Sequence, residues 1–161
     1  FESCGSELSY RKIAAVAGIS VDTVKTYLEA CEYAYLIFSC HFFAFSEKKR
    51  LAKQKKYYAI DTALRKSIIS TSNRDLGKSL ESLVFLHLKK HSEQVYYWQE
   101  THKGEVDFVT VNNNIITPYQ VTLKEPEQRH YQALDSFYSN FPQAGEAVFI
   151  NSDNVEEFLK T

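Results

Sequence analysis

The sequence predicts a mixed α/β (α+β) fold in two parts, and three observations carry that prediction. Two short amphipathic helical stretches joined by Gly18-Ile19-Ser20 open the chain. Two apolar, aromatic-rich runs follow, Leu36 to Phe43 and Tyr57 to Ile60. After a polar interval, the pattern becomes helix, three strands, helix, strand.

Each element has a local reason. Ser9 can accept a backbone N–H at the start of a helix over Tyr10 to Ala17, and Gly18 can end it. Ser20 can cap a second helix, in which Val21, Val24, Tyr27, Leu28 and Cys31 recur at helical spacing. Two helices with so short a joint read as helix-turn-helix. Leu36 to Phe43 is aromatic and β-branched, as strands are. Ser46 to Lys56 is a polar run with six Lys or Arg and one Glu. Tyr57 to Ile60 then returns as a second strand. A hairpin directly after a helix-turn-helix resembles the wing of a winged helix.

Ser70 to Arg74 is polar and loop-like, which places a boundary there. Residues 1–70 form the winged-helix subdomain and residues 71–161 an α/β subdomain, with no sheet expected to continue from one to the other. In the second part a helix is predicted from Leu76 to His91, with Leu80, Leu83, Val84 and Leu88 on one face. Strands are predicted at Gln94–Trp98, Val106–Val111 and Ile115–Val121. Asn112-Asn113-Asn114 is a tight turn between the last two. Pro126 leads into a helix from Glu127 to Tyr138, and Ala147 to Ile150 is a short strand. The order is α-β-β-β-α-β.

Composition narrows the function classes. The chain has 161 residues, is 44% hydrophobic and carries a net charge of −1. It can bury a core, and its overall charge attracts neither nucleic acid nor membrane. Cys4, Cys31 and Cys40 are odd in number and lack CxxC spacing, which fits a reducing, cytoplasmic setting rather than a disulfide framework. The longest apolar stretch, Ala34 to Phe45, is interrupted by Ser39 and His41 and is too short to span a bilayer. The chain begins at Phe1 and has no methionine, so it is expected to be an excised fragment.

Several short motifs resolve to structural readings. Gly77-Lys78-Ser79 lacks the earlier glycine and the preceding strand of a phosphate loop. The outward residues of the second helix, Asp22, Lys25, Thr26, Glu29 and Glu32, hold three acids to one base, which favours packing over reading DNA. The basic run offers Lys48, Lys49, Arg50 and Lys53 as contacts to a nucleic-acid backbone, against a plain solvated hairpin tip. His87 and His91 stand at i, i+4 without further ligands. Tyr96-Tyr97-Trp98 suits a packed strand better than a base-stacking platform.

The most specific constellation lies in the second part. Glu81 sits on the helix. Glu105 and Asp107 alternate on one strand, and Gln120, Thr122 and Lys124 alternate on or just beyond the next. A helix acid, a strand acid and an acid-x-Lys strand can hold Mg²⁺ and activate water against a phosphodiester.

The order α-β-β-β-α-β with Glu81 and Asp107 resembles the PD-(D/E)xK restriction-endonuclease-like fold. The chain resembles more closely a domain of unknown function that follows the AAA+-type core in predicted bacterial and archaeal ATPases. The matching stretches include Tyr10-Arg11-Lys12-Ile13-Ala14, Gly18 to Leu28, Lys56 to Leu64, Leu80 to Phe85, Gly104 to Val109 and Pro118 to Thr122. The resemblance implies an ATPase core upstream in cis, with ATP and Mg²⁺ confined to that core and no cofactor here. It also implies Glu-Val-Lys at the end of the third strand, where this chain has Gln120-Val121-Thr122. The third metal ligand and the catalytic lysine are thus replaced, and Lys124 is the one lysine near enough to stand in. Glu81, Asp107, Gln120 and Lys124 therefore form a degenerate nuclease-like site, expected to hold no metal.

The expected function is a non-catalytic regulatory or interaction module of an AAA+-type ATPase. One alternative is a nucleic-acid-binding module using the basic wing. Another is a Mg²⁺-dependent nuclease with a rearranged site. Expected partners are the ATPase core and, under the alternatives, nucleic acid or a second copy in a homo-oligomer, but no membrane.

Overall fold

The computed structural model describes residues 3–68 and 75–160. The expected boundary loop, Ser70 to Arg74, lies outside the described residues.

Helix α1 spans Tyr10–Ala17 and α2 Val21–Tyr33. Ser9 accepts from the Lys12 N–H at 3.4 Å and Ser20 from the Thr23 N–H at 3.0 Å. Gly18 ends α1 with φ 66°, a left-handed conformation that only a glycine adopts without a Cβ penalty. Strand β1 (Ile37–Phe42) pairs antiparallel with β2 (Lys56–Ala59). Helix α3 (Glu47–Ala52), capped by Ser46, lies between them. Helix α4 (Thr62–Ile68) leads toward the second half.

That half runs α5 (Asp75–His91), β3 (Gln94–Glu100), β4 (Gly104–Asn112), β5 (Ile115–Val121), α6 (Gln128–Asn140), β6 (Val148–Ile150) and α7 (Val155–Phe158). The order α-β-β-β-α-β is as the sequence predicts. Asn113 and Asn114 turn the β4–β5 hairpin, with φ of 49° and 64°. Two consecutive positive φ angles match the twist of a hairpin, and asparagine tolerates them better than most residues.

All six strands form a single sheet in the order β2-β1-β3-β4-β5-β6. This corrects the expectation that no sheet crosses from one part to the other. The join is a parallel pairing of β1 with β3, His41 to Tyr96 and Phe42 to Tyr97. Its physical reason is burial. Cys40, Phe42 and Phe43 are buried, and a strand so covered needs backbone partners on both edges. The hairpin after the helix-turn-helix is therefore one end of the central sheet.

Helices flank this mixed sheet. On α5, Phe85 stacks on Tyr58 at 4.1 Å between ring centroids and meets Phe108 at 5.7 Å. On α6, Phe137 and Phe141 meet Phe43 at 6.1 and 4.8 Å, and Phe137 meets Trp98 at 5.4 Å. Val84 and Leu88 of α5 are buried as expected, but Leu83 is exposed and Phe85 takes its place in the core. Tyr96, Tyr97 and Trp98 are all buried, so this strand is packed.

Between Tyr96 and Trp98 the β3–β4 register slips. Tyr96 faces Val109 and Trp98 faces Val106, so two steps on β3 match three on β4. The extra residue lies at Asp107–Phe108. Such a bulge re-aims a side chain and weakens the local ladder.

Candidate functional site

The bulge brings Asp107 to the point where β4 and β5 part. Regular β4–β5 pairing ends at Phe108 and Tyr119. Beyond it, the Val121 N–H donates to Asp107 Oδ2 at 2.7 Å, so a side chain takes the bond that a strand backbone would otherwise accept. The Gln120 side chain crosses in the other direction, its Nε2 donating to the Glu105 carbonyl at 2.8 Å.

Glu81 projects from α5 into the same region. The Tyr58 hydroxyl donates to Glu81 Oε1 at 2.7 Å. Gly5 closes over the carboxylate from the other side. A Cβ at that glycine would meet both Glu81 oxygens at 3.2 Å, and its φ of +73° already favours glycine. The Gly5 N–H is held by the Tyr57 carbonyl at 3.0 Å.

Sequence reasoning missed the central residue. Lys56 belongs by sequence to the basic run, but its side chain is only 3% exposed and lies inside the cluster. Lys56 Nζ donates to Glu105 Oε1 and stands 3.7 Å from Glu81 Oε1. It also lies over the Tyr97 ring, 5.2 Å from the centroid. The available signal was alternation on β2. Lys56 and Tyr58 are two residues apart and must share a face, and Tyr58 belongs to the core.

Electrostatics follow from burial and neighbours. Burial works against the charge on Lys56, but Glu81 and Glu105 outweigh it and hold the ammonium above its ordinary pKa. Burial raises the Glu81 carboxyl, with Lys56 and the Tyr58 hydroxyl pulling it back. Burial, and then the charge of Glu81, push Asp107 up to about 8, although the Val121 N–H opposes the shift. Near pH 7 the cluster thus sets the Lys56 ammonium among acids of which Asp107 is mostly neutral.

This donor set leaves little free carboxylate for Mg²⁺, which is usually held through one or two carboxylates and several waters. Two of the acids already face a lysine and the third holds a proton. Gln120 is 1% exposed, and its Oε1 has no hydrogen-bond partner among the described residues. Among the described residues, no group of three His, Cys, Asp or Glu side chains is arranged to hold a metal ion.

The other predicted site residues lie elsewhere. Lys124 is exposed in the loop after β5. Lys48 and Lys49 are exposed on α3. Arg50 is not a free cation: its Nη1 donates to the Tyr96 hydroxyl at 3.1 Å. Lys53 Nζ lies 5.2 Å above the Phe42 ring. Gly77-Lys78-Ser79 lies within α5, and Lys78 donates to Ser6, so no phosphate loop forms.

Fold and cluster together define a mixed α/β protein whose acid cluster is bridged by a buried lysine. Residues 76–161, more than half of the chain, match the family described as Domain of unknown function (DUF4143), and the chain belongs to it. Residues 2–75 match a second family, described as Domain of unknown function (DUF8612). A stretch of 108 residues, 67% of this chain, is 28% identical to a Haemophilus influenzae protein described as an uncharacterized protein. That stretch covers 27% of the relative's length, so the chain spans about a quarter of the protein it matches. No solved structure matches the chain. No helix among the described residues is long and apolar enough to cross a membrane.

Proposed function

We propose that the chain is a non-catalytic regulatory and interaction module, attached in cis to an AAA+-type ATPase core, with a degenerate nuclease-like site. The observation that carries the reading is Lys56, whose buried ammonium lies against Glu81 and Glu105 and so competes with any cation for those acids. Gln120 and Thr122 support it, since they stand where that fold carries a glutamate and a lysine. The relative that extends well beyond the matched stretch supports a module within a longer protein.

The catalytic half of this reading is tested by plasmid nicking with Mn²⁺ and by calorimetry. The unmodified chain is expected to give neither nicking nor millimolar Mn²⁺ binding. Nicking that disappears in Asp107→Ala would overturn the reading in favour of a rearranged nuclease. The ATPase half is tested on the full-length protein. Its ATP hydrolysis rate is expected to change when residues 1–161 of this chain are deleted, while its phosphate loop stays intact.

A second reading, nucleic-acid binding through α3, is supported by the exposure of Lys48 and Lys49 on one short helix.

A further inference from the structure

A second concave feature lies away from the acid cluster, where the end of β1, helix α3, strand β3 and the end of α6 meet. It is a groove of about 650 Å³. Phe43, Trp98 and Phe141 line it and are themselves buried, with Phe43 and Phe141 rings 4.8 Å apart. Phe45 forms the lip. It packs on Phe141 at 5.4 Å and yet is 67% exposed. A large aromatic side chain left in water beside a well-packed aromatic floor is unusual, because burying it would be favourable.

The polar part of the lining has one sign to spare. Lys49 and Lys53 both line the groove. Among the described residues neither has a carboxylate within ion-pair distance, and Lys53 rests on the Phe42 ring instead. The acid in the lining, Glu100, is already engaged by the Ser136 hydroxyl and by Lys103. An apolar floor with two uncommitted cations at its rim selects a ligand that is apolar at one end and anionic at the other.

We propose that this groove binds an amphipathic organic anion, an apolar body carrying a single carboxylate. The apolar body lies on Phe43, Trp98 and Phe141 beneath Phe45, and the carboxylate meets Lys49 and Lys53. The size suits such a ligand, since pockets for small organic molecules run from roughly 300 to 1,000 Å³. The proposal stands apart from the acid cluster and does not depend on how that cluster is read.

Trp98 is the single tryptophan of the chain, so its emission reports on the groove directly. The probes are octanoate and 1-octanol, which share a chain and differ in head group. Octanoate is expected to shift Trp98 emission saturably and to bind more tightly than octanol. The double substitution Lys49→Gln with Lys53→Gln is expected to weaken octanoate about tenfold, two exposed ion pairs lost, while leaving octanol unchanged. Both lysines are on the surface, and an unaltered circular dichroism spectrum confirms that the variant folds. In a second variant, Ala52→Phe, the larger side chain fills the groove without adding a second tryptophan and is expected to abolish both responses. Equal affinity for octanoate and octanol, or octanoate binding that survives the lysine substitutions, would overturn the proposal. So would self-association that Phe45→Ser abolishes, since the groove would then be a contact between copies of the chain.

Discussion

Lys56 Nζ lies 3.7 Å from Glu81 Oε1, and the two residues come from different family segments, residues 2–75 and 76–161. A buried lysine thus fastens the two segments together at the point where the acids converge. Removing one partner of such a pair leaves the other charge stranded in a poorly solvated site. Lys56→Met is expected to destabilise the chain by roughly 3 kcal/mol, the lower end for a broken buried pair because Glu105 keeps access to water. Adding Glu81→Gln to Lys56→Met should recover part of that loss. Urea unfolding of the two single variants and the double variant measures both quantities. Strict additivity would show that the pair does not interact.

Asp107 sets the pH dependence. Its carboxyl is raised to about 8 in the fold, above about 3.9 in an unfolded chain. Between those values the native state holds more protons than the unfolded state, so this group's contribution to stability falls as pH rises. The contribution is whole below about pH 4 and is lost by about pH 8, with a slope of at most about 1.4 kcal/mol per pH unit. Asp107→Asn keeps an oxygen for the Val121 N–H and removes the titration. The variant is expected to show a flatter stability profile and to match or exceed the parent at pH 8. Carbon-13 titration of the Asp107 carboxyl checks the value directly.

Much of this was legible in the chain. Ser9, Gly18 and Ser20 bounded α1 and α2 as their capping chemistry requires, and the long periodic or alternating segments of the second half gave α5, β3, β4, β5 and α6. Helices α3, α4 and α7 were not read. They have seven residues or fewer, and the charged Glu47–Ala52 stretch shows no apolar periodicity. The continuous sheet was hidden for a different reason. Its join rests on two residue pairs separated by more than fifty positions, and no local pattern encodes a parallel partner. Glu81, Glu105 and Asp107 could be placed on elements that meet. Lys56 could not, because a lysine among lysines reads as solvated surface unless the strand's alternation is followed one residue further back.

Gly5 is expected to tolerate no side chain. Gly5→Ala combines a positive φ with a Cβ pressed toward the Glu81 carboxylate. The cost should be roughly 1–2 kcal/mol from backbone conformation alone. Thermal unfolding of this variant against Gly18→Ala separates the two effects. Gly18 has a similar φ of +66° with nothing within 4 Å, so the excess loss at Gly5 measures the crowding at Glu81.

The basic segment offers fewer contacts than its composition suggests. Lys56 is buried, which leaves Lys48, Lys49, Arg50, Lys53 and Lys55, with one Arg50 nitrogen already bonded to Tyr96. Any DNA affinity should therefore fall with salt at a log–log slope no steeper than about −4.5 and should ignore sequence. Fluorescence anisotropy with a labelled duplex over a salt series gives the slope. Lys48→Glu with Lys49→Glu is expected to remove binding. A steeper slope, or a marked preference among sequences, would point to contacts outside this basic segment.

The parallel seam between β1 and β3 bears on how the two family segments can be handled. Cutting the chain between residues 75 and 76 would unzip that seam and leave each fragment with a bare strand edge flanked by exposed aromatic side chains. Such edges recruit other edges, so the separated pieces should precipitate or swap strands rather than fold as monomers. Expressed together from two messages, the same pieces should find each other and complement, because each supplies the missing neighbour strand of the other.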